Sequence, residues 1–168
     1  WSCKFFIFNL SYNNKNKKME FLDIKECNHC CKNINETNKL AFGEVKTDFY
    51  VIDIYFLNKI PDEVYQNKNL KWLDPGSGTG NFSISIFKRL MFSLHEQIED
   101  IELRKKHIIE NMLYMVELNS ENVKILKNIF GEKANIYSSD YLLFNEDTKF
   151  DIIIGNPPYN SKGLKKVP

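Results

Sequence analysis

Three stretches of this sequence combine residue types that do chemistry. The first is Asp74-Pro75-Gly76-Ser77-Gly78-Thr79-Gly80-Asn81-Phe82, which holds three of the chain's 7 glycines. Glycine at that density lets backbone approach something that a side chain would block. The second is a set of acids, Asp74, Glu117 and Asp140, each at or just after the end of a run that reads as a strand: residues 70–73, 113–116 and 134–138. The third is Asn156-Pro157-Pro158-Tyr159, after the apolar run 150–154. A strand, a glycine turn and a helix together hold nucleotide-like ligands at the carboxyl end of a parallel sheet. Acids converging there repel a phosphate-rich ligand and favour one with hydrogen-bond donors and positive charge. In the third stretch, the Asn156 side-chain oxygen and the Pro157 carbonyl are two acceptors for the two N–H groups of a planar amine. Such an amine is a poor nucleophile because its lone pair is delocalised. Acceptors that pull its nitrogen toward tetrahedral geometry free that pair. Proline fixes φ and has no N–H, so Pro157 and Pro158 present carbonyls without a competing donor. Tyr159 offers a π face, worth about 1–3 kcal/mol against a stacked base.

Positioning these groups requires a sheet. Residues 46–60 set Phe49, Ile52, Tyr55, Phe56 and Ile60 at helical spacing, with Thr47 or Asp48 as cap and Pro61 beyond the end. Residues 82–94 place Phe82, Ile86, Phe87, Leu90, Met91 and Leu94 on one helix face. A charged stretch follows, and a second helix is expected over about 98–111, longer than a minimal crossover needs. His95 and His107 read as solvated helix residues. Residues 113–116 form a strand ending at Glu117. Asn119 or Ser120 caps the next helix, with Val123, Leu126, Ile129 and Phe130 on its face and Gly131 at its stop. Residues 134–138 and 150–154 are strands, the latter apolar but for Asp151, as suits a strand covered on both faces. A further strand is expected within residues 3–10. With right-handed crossovers this succession gives an α/β fold: a Rossmann-like, mostly parallel sheet with helices on both faces.

The acidic glycine turn followed by Asn156-Pro157-Pro158-Tyr159 at a strand end resembles the class I S-adenosylmethionine-dependent amino-methyltransferases. The pattern Asp-Pro-x-x-Gly-x-Gly-x-Phe, here Asp74 to Phe82, resembles the gamma-type N6-adenine DNA methyltransferases in particular. The likeness covers about residues 47–159. It implies S-adenosyl-L-methionine as cofactor and a methyl transfer to adenine N6 in DNA, in a restriction–modification setting. It also implies roles. Thr47, Asp74, Pro75, Gly76, Gly78, Phe82, Glu117 and Asp140 would hold the cofactor, with Glu117 on the ribose and Asp140 facing the adenine amine. Thr47 would touch the methionine part, although the family's Thr-Pro reads Thr47-Asp48 here. Asn156, Pro157, Pro158 and Tyr159 would be catalytic. A duplex target would be flipped out of the helix, with Tyr141 and Tyr159 lining its pocket. The runner-up is a methyltransferase for a protein glutamine amide or an RNA guanine amine, which shares Asn-Pro-Pro-Tyr. Asp74-Pro75 and Phe82 favour the DNA enzyme, and Asn156 argues against cytosine. A third reading is a catalytically silent piece that binds cofactor or another chain.

Composition bounds these readings. The chain of 168 residues, 43% apolar and 27% charged, is enough for one folded core and is not that of a disordered chain. A net charge of +1 excludes a basic field over the whole domain, so DNA contacts must be local. Lys162, Lys165 and Lys166 read as a solvated tail. No apolar run reaches membrane-spanning length, and a cytoplasmic, nuclear or viral setting is expected. Cys27, His29, Cys30 and Cys31 resemble half a zinc site, but reduced thiols in a polar loop are the better reading, with no metal. Residues 1–40 read as an N-terminal extension and 41–168 as a partial catalytic domain. The family places further strands and a target-recognition region after the tetrad, or on a companion chain. A fragment with weak or no turnover is therefore expected, with its last strand an open edge unless residues 3–10 cover it.

Overall fold

The computed structural model describes residues 6–8, 46–145 and 147–156. Five strands form one sheet: β1 (Phe6–Phe8), β2 (Trp72–Asp74), β3 (Leu113–Glu117), β4 (Asn135–Ser138) and β5 (Ile152–Gly155). Their order is β1-β5-β2-β3-β4. The last four in that order are parallel. β1 runs antiparallel to β5, with Phe6 opposite Gly155 and Phe8 opposite Ile153. The N-terminal strand thus covers the edge that β5 would otherwise expose.

This order decides which face each connection crosses. The chain steps from β2 to β3 to β4 in one direction, and right-handed crossovers keep those helices on one face. The step from β4 to β5 goes back past β3 and β2, so its connection lies over the other face. Side-chain alternation agrees. Trp72, Leu113, Met115, Ile152 and Ile154 join the helices in one large core, whereas Leu73, Tyr114 and Val116 face a separate cluster. Among the described residues that cluster has no helical member; Tyr137, Tyr141, Phe144, Phe150 and Ile153 pack against it. Its rings meet edge to face, Tyr114 with Phe150 at 5.1 Å and Tyr137 with Phe144 at 5.0 Å. The parallel α/β architecture is the expected one. Among the described residues, however, the helices that bury apolar side chains lie on one face, and aromatic side chains cover the other.

The first helix departs from its expectation. Asp48 caps it, its Oδ1 accepting from the Tyr50 amide at 2.8 Å. α1 (Phe49–Val51) then runs into a widened π stretch, Ile52–Phe56, and a tightened 3-10 turn, Leu57–Lys59. The widened turn buries both Ile52 and Phe56. A short α2 (Asp62–Tyr65) follows Pro61. Its Tyr65 hydroxyl donates to the Leu57 carbonyl at 2.8 Å, and its ring stacks on Trp72. α3 (Asn81–Ser93), α4 (Ile101–His107, continued by a π turn to Met112) and α5 (Ser120–Phe130, capped by Asn119) match the expected helices within a few residues. His95 and His107 lie at the surface, against the carbonyls of Phe92 and Lys68. No helix among the described residues is long and apolar enough to cross a membrane.

Candidate active site

Strand order reverses between β2 and β5, and ligands of open α/β sheets bind in the crevice outside the carboxyl ends of such a strand pair. Asp74 ends β2, and Asn156 follows β5 directly. The two strands are adjacent and parallel, with Leu73 opposite Ile153, so no strand intervenes between the two groups. Gly155 makes the closeness plain. A Cβ built there would lie 2.5 Å from Asp74 Oδ1 and 2.9 Å from Pro75 Cδ. Only glycine lets the backbone before Asn156 pass so near the carboxyl group.

The glycine turn is tied down from three sides. The Ser77 hydroxyl donates to the Asp74 carbonyl at 3.1 Å, and the Ser77 amide donates to the Val116 carbonyl at 3.1 Å. The Gly78 amide donates to Glu117 Oε2 at 2.7 Å. Gly78 and Gly80 both have positive φ, 53° and 95°, which glycine adopts without strain. At Gly80 a Cβ would also meet Leu126 of α5 at 2.9 Å, so this glycine sets how closely α3 and α5 pack. Glu117 is 9% exposed, and its Oε1 accepts from the Asn119 amide at 2.7 Å. One carboxylate therefore holds both loops.

Asp74 is fully buried. Its Oδ2 accepts from the Ser83 hydroxyl at 2.7 Å, while Oδ1 has no hydrogen-bond partner among the described residues. Burial pushes the carboxyl up from its ordinary 3.8 to about 7. The Ser83 hydroxyl and, more weakly, the Gly76 and Ser83 amides oppose that rise, and the negative charge of Glu117 adds to it. A buried acceptor without a partner beside a second acid is a site prepared for a donor or a cation.

Asn156 is joined to the other two elements. Its Nδ2 donates to Thr47 Oγ1 at 3.0 Å, across 109 residues of sequence. The Asn81 Nδ2, at the start of α3, donates to the Thr47 carbonyl at 2.7 Å. Asp140 stands apart: it is half-buried, and its Oδ1 accepts from the Leu142 amide of its own loop at 2.9 Å. Leu142 and Leu143, just beyond, are 87% and 80% exposed. Phe82 sits in the core, its ring edge to face with Phe56 at 5.4 Å. Tyr141 packs on the aromatic cluster.

The structure therefore gathers Thr47, Asp74, Pro75, Gly78, Glu117 and Asn156 at one rim and sets Asp140 at the far end of that rim. Pro157, Pro158, Tyr159, Lys162, Lys165, Lys166 and the Cys27–Cys31 cluster lie outside the described residues. Among the described residues no cluster of metal-binding side chains occurs. Sequence reasoning missed Ser83, Gly155 and Asn81. A serine on the buried face of an apolar-periodic helix was a signal for Ser83, and a glycine closing an apolar strand was one for Gly155. Nothing in the sequence pointed to Asn81.

Comparison with known proteins gives the family. The sequence profile of the family described as Eco57I restriction-modification methylase matches residues 3–167. The release factor glutamine methyltransferase of Fusobacterium nucleatum is 37% identical over 92 residues, which is 54% of this chain and 22% of that protein. The type II methyltransferase M.BstVI of Geobacillus stearothermophilus is 32% identical over 116 residues, 55% of this chain and 20% of that protein. An uncharacterized adenine-specific methylase of Mycoplasma pneumoniae is 37% identical over 84 residues, 50% of this chain and 19% of that protein. The chain thus spans about a fifth of the length of these curated relatives.

Proposed function

Because the chain belongs to the Eco57I restriction-modification methylase family, we propose that it binds S-adenosyl-L-methionine and transfers its methyl group to the N6 amine of adenine in DNA. The observation that carries this reading is the adjacency of Asp74 and Asn156 on parallel strands at the point where strand order reverses. A cationic methyl donor and a planar amine acceptor must meet, and here their binding groups share one crevice. The residues present fit the cofactor. The partnerless Asp74 Oδ1 and the acid Glu117 suit its positive charge and its hydroxyl donors. Glu117 Oε1 accepts from the Asn119 amide and from Asn122 Nδ2, whereas Oε2 accepts from the Gly78 amide and has a second lone pair for a ribose hydroxyl. Asp140 would face the cofactor's adenine amine, and Gly76 and Gly78 would let backbone approach it.

When bound, the cofactor supplies an electrophilic methyl on a sulfonium sulfur. The chain's part is to hold the target. The Asn156 side-chain oxygen and the Pro157 carbonyl accept from the two N6 protons, Tyr159 stacks on the base, and positioning supplies most of the acceleration. With both N6 protons held, Asn156 and Pro157 would leave the N6 lone pair facing the methyl group that the cofactor would supply, and the proton that N6 must give up would pass to solvent. In duplex DNA the adenine is flipped out first. A target-recognition region or companion chain completes DNA selection.

A glutamine-amide substrate is the second reading, favoured by the 37% identity to a release factor glutamine methyltransferase. One experiment separates them. The full-length protein is incubated with methyl-labelled cofactor and, separately, with duplex DNA, RNA and a release-factor protein. Label in DNA as N6-methyladenine is expected. Label on the glutamine or on RNA would overturn the DNA assignment. Cofactor binding with no label on any of the three would leave only a silent binding module.

A further inference from the structure

We infer that Thr47 is a positioning residue for methyl transfer: its hydroxyl holds the Asn156 amide by its nitrogen, so that the amide oxygen faces the incoming amine. This rests on the amine-gripping role of Asn156 proposed above and deepens it. A side-chain amide is nearly symmetric in shape and opposite in chemistry at its two ends. The amine of the target brings two donors. An Asn156 turned the wrong way would meet them with its own N–H groups. In the structure the nitrogen end is occupied, with Nδ2 donating to Thr47 Oγ1 at 3.0 Å. The oxygen lies on the opposite branch of the same planar group.

Thr47 is itself held. Its carbonyl accepts from Asn81 Nδ2 at 2.7 Å, which ties it to the first residue after the glycine turn. Capping of the first helix falls to the neighbouring Asp48, so the Thr47 hydroxyl is not needed for that task. One residue thereby links three parts of the rim: the segment before α1, the glycine turn and the end of β5. A loose amide would sample both orientations and lose productive encounters. Thr47 restricts it to one. The family resemblance assigned Thr47 to the cofactor; the hydrogen bond assigns it to the group that holds the substrate.

The test uses Thr47→Val and Thr47→Ser in the full-length protein. Valine keeps the shape and removes the hydroxyl, and serine restores the hydroxyl without the methyl. Two quantities are measured: the dissociation constant for S-adenosyl-L-methionine by calorimetry, and the single-turnover transfer rate with cofactor and DNA both saturating. Thr47→Val is expected to lower the transfer rate by about 10-fold or more with cofactor affinity changed by less than about two-fold, as loss of orientation alone would do. Thr47→Ser is expected to stay near wild type in both. The inference is overturned if Thr47→Val weakens cofactor binding while the bound-state rate survives. It is also overturned if Thr47→Ser is as slow as Thr47→Val, or if neither changes the rate. Asn156→Ala, run alongside, separates this inference from the reading beneath it. An inert Asn156→Ala with a normal Thr47→Val removes only the role of Thr47. A fully active Asn156→Ala removes the role of Asn156 itself.

Discussion

Glu117 at the end of β3 and Asp140 after β4 are both acids at strand ends, one strand apart on the same rim, yet they are built differently. Glu117 is 9% exposed, and its two oxygens accept the Gly78 and Asn119 amides. Asp140 is half-buried, its side chain bonds its own loop, and two leucines beside it stand in solvent. The β2–β3 side of the crevice is therefore organised before any ligand arrives. The β4 side has an exposed apolar surface and an acid whose side chain bonds within its own loop. Preorganised groups lose little entropy on binding, so the first side should set affinity and geometry and the second should close on the ligand.

That contrast can be broken or sharpened by mutation. The largest expected effect comes from Gly155→Ala, which drives a Cβ to 2.5 Å from Asp74 Oδ1 inside the organised side. Overpacking there should cost about 3 kcal/mol in chemical denaturation. A neutral result would mean that β5 can move away from β2, and that the two groups are not held together. Glu117→Ala should cost about 2 kcal/mol, because the Gly78 and Asn119 amides lose their acceptor. It should also abolish cofactor binding measured by calorimetry.

Asp74→Asn tests the charge of the same side through pH. Burial raises the Asp74 carboxyl from 3.8 to about 7, so the fold favours its neutral form. Its contribution to stability is fully present below the unfolded value and is lost as pH rises toward about 7. Asparagine has no such titration. The Tm of Asp74→Asn relative to wild type should therefore rise between pH 4 and about 7 and level off above that. A cation bound beside Oδ1 favours the ionised acid, so wild-type cofactor affinity should increase through the same window and Asp74→Asn should not show that increase. A pH-independent difference between the two proteins would contradict this account. The smallest effect belongs to the open side. Asp140→Ala should change stability by no more than about 0.5 kcal/mol, as a half-buried loop residue bonded within its own loop does, and weaken cofactor binding without abolishing it. A larger stability loss would show that the two sides are equally built.

Much of the fold was legible because its signals are local. The apolar runs before Glu117 and within 150–154, the cap at Asn119 and the glycine turn each declare themselves over a few residues. The acids and Asn156 were legible for the same reason: each closes a strand or follows one directly. What stayed hidden depends on contacts between distant segments. The Thr47–Asn156 bond joins positions 109 residues apart, and the need for glycine at 155 arises only once β5 lies beside β2. The burial of helices on one face follows from strand order, which hydrophobic periodicity does not encode. The π turns at Ile52–Phe56 and Ile108–Met112 have no sequence signature, because their apolar spacing also fits an ordinary helix. Phe82 carried a family pattern and sits in the core, a reminder that a motif position can serve packing.

The central claim is that cofactor and target amine are held by separate residues of one crevice, with Asn156 acting on the amine alone. Its most direct test is Asn156→Ala in the full-length protein, with S-adenosyl-L-methionine affinity and labelled-methyl transfer to DNA measured on the same preparation. The account predicts cofactor affinity within about two-fold of wild type and transfer reduced on the order of 10²-fold or more. Transfer at the wild-type rate, or cofactor binding lost together with transfer, would contradict it.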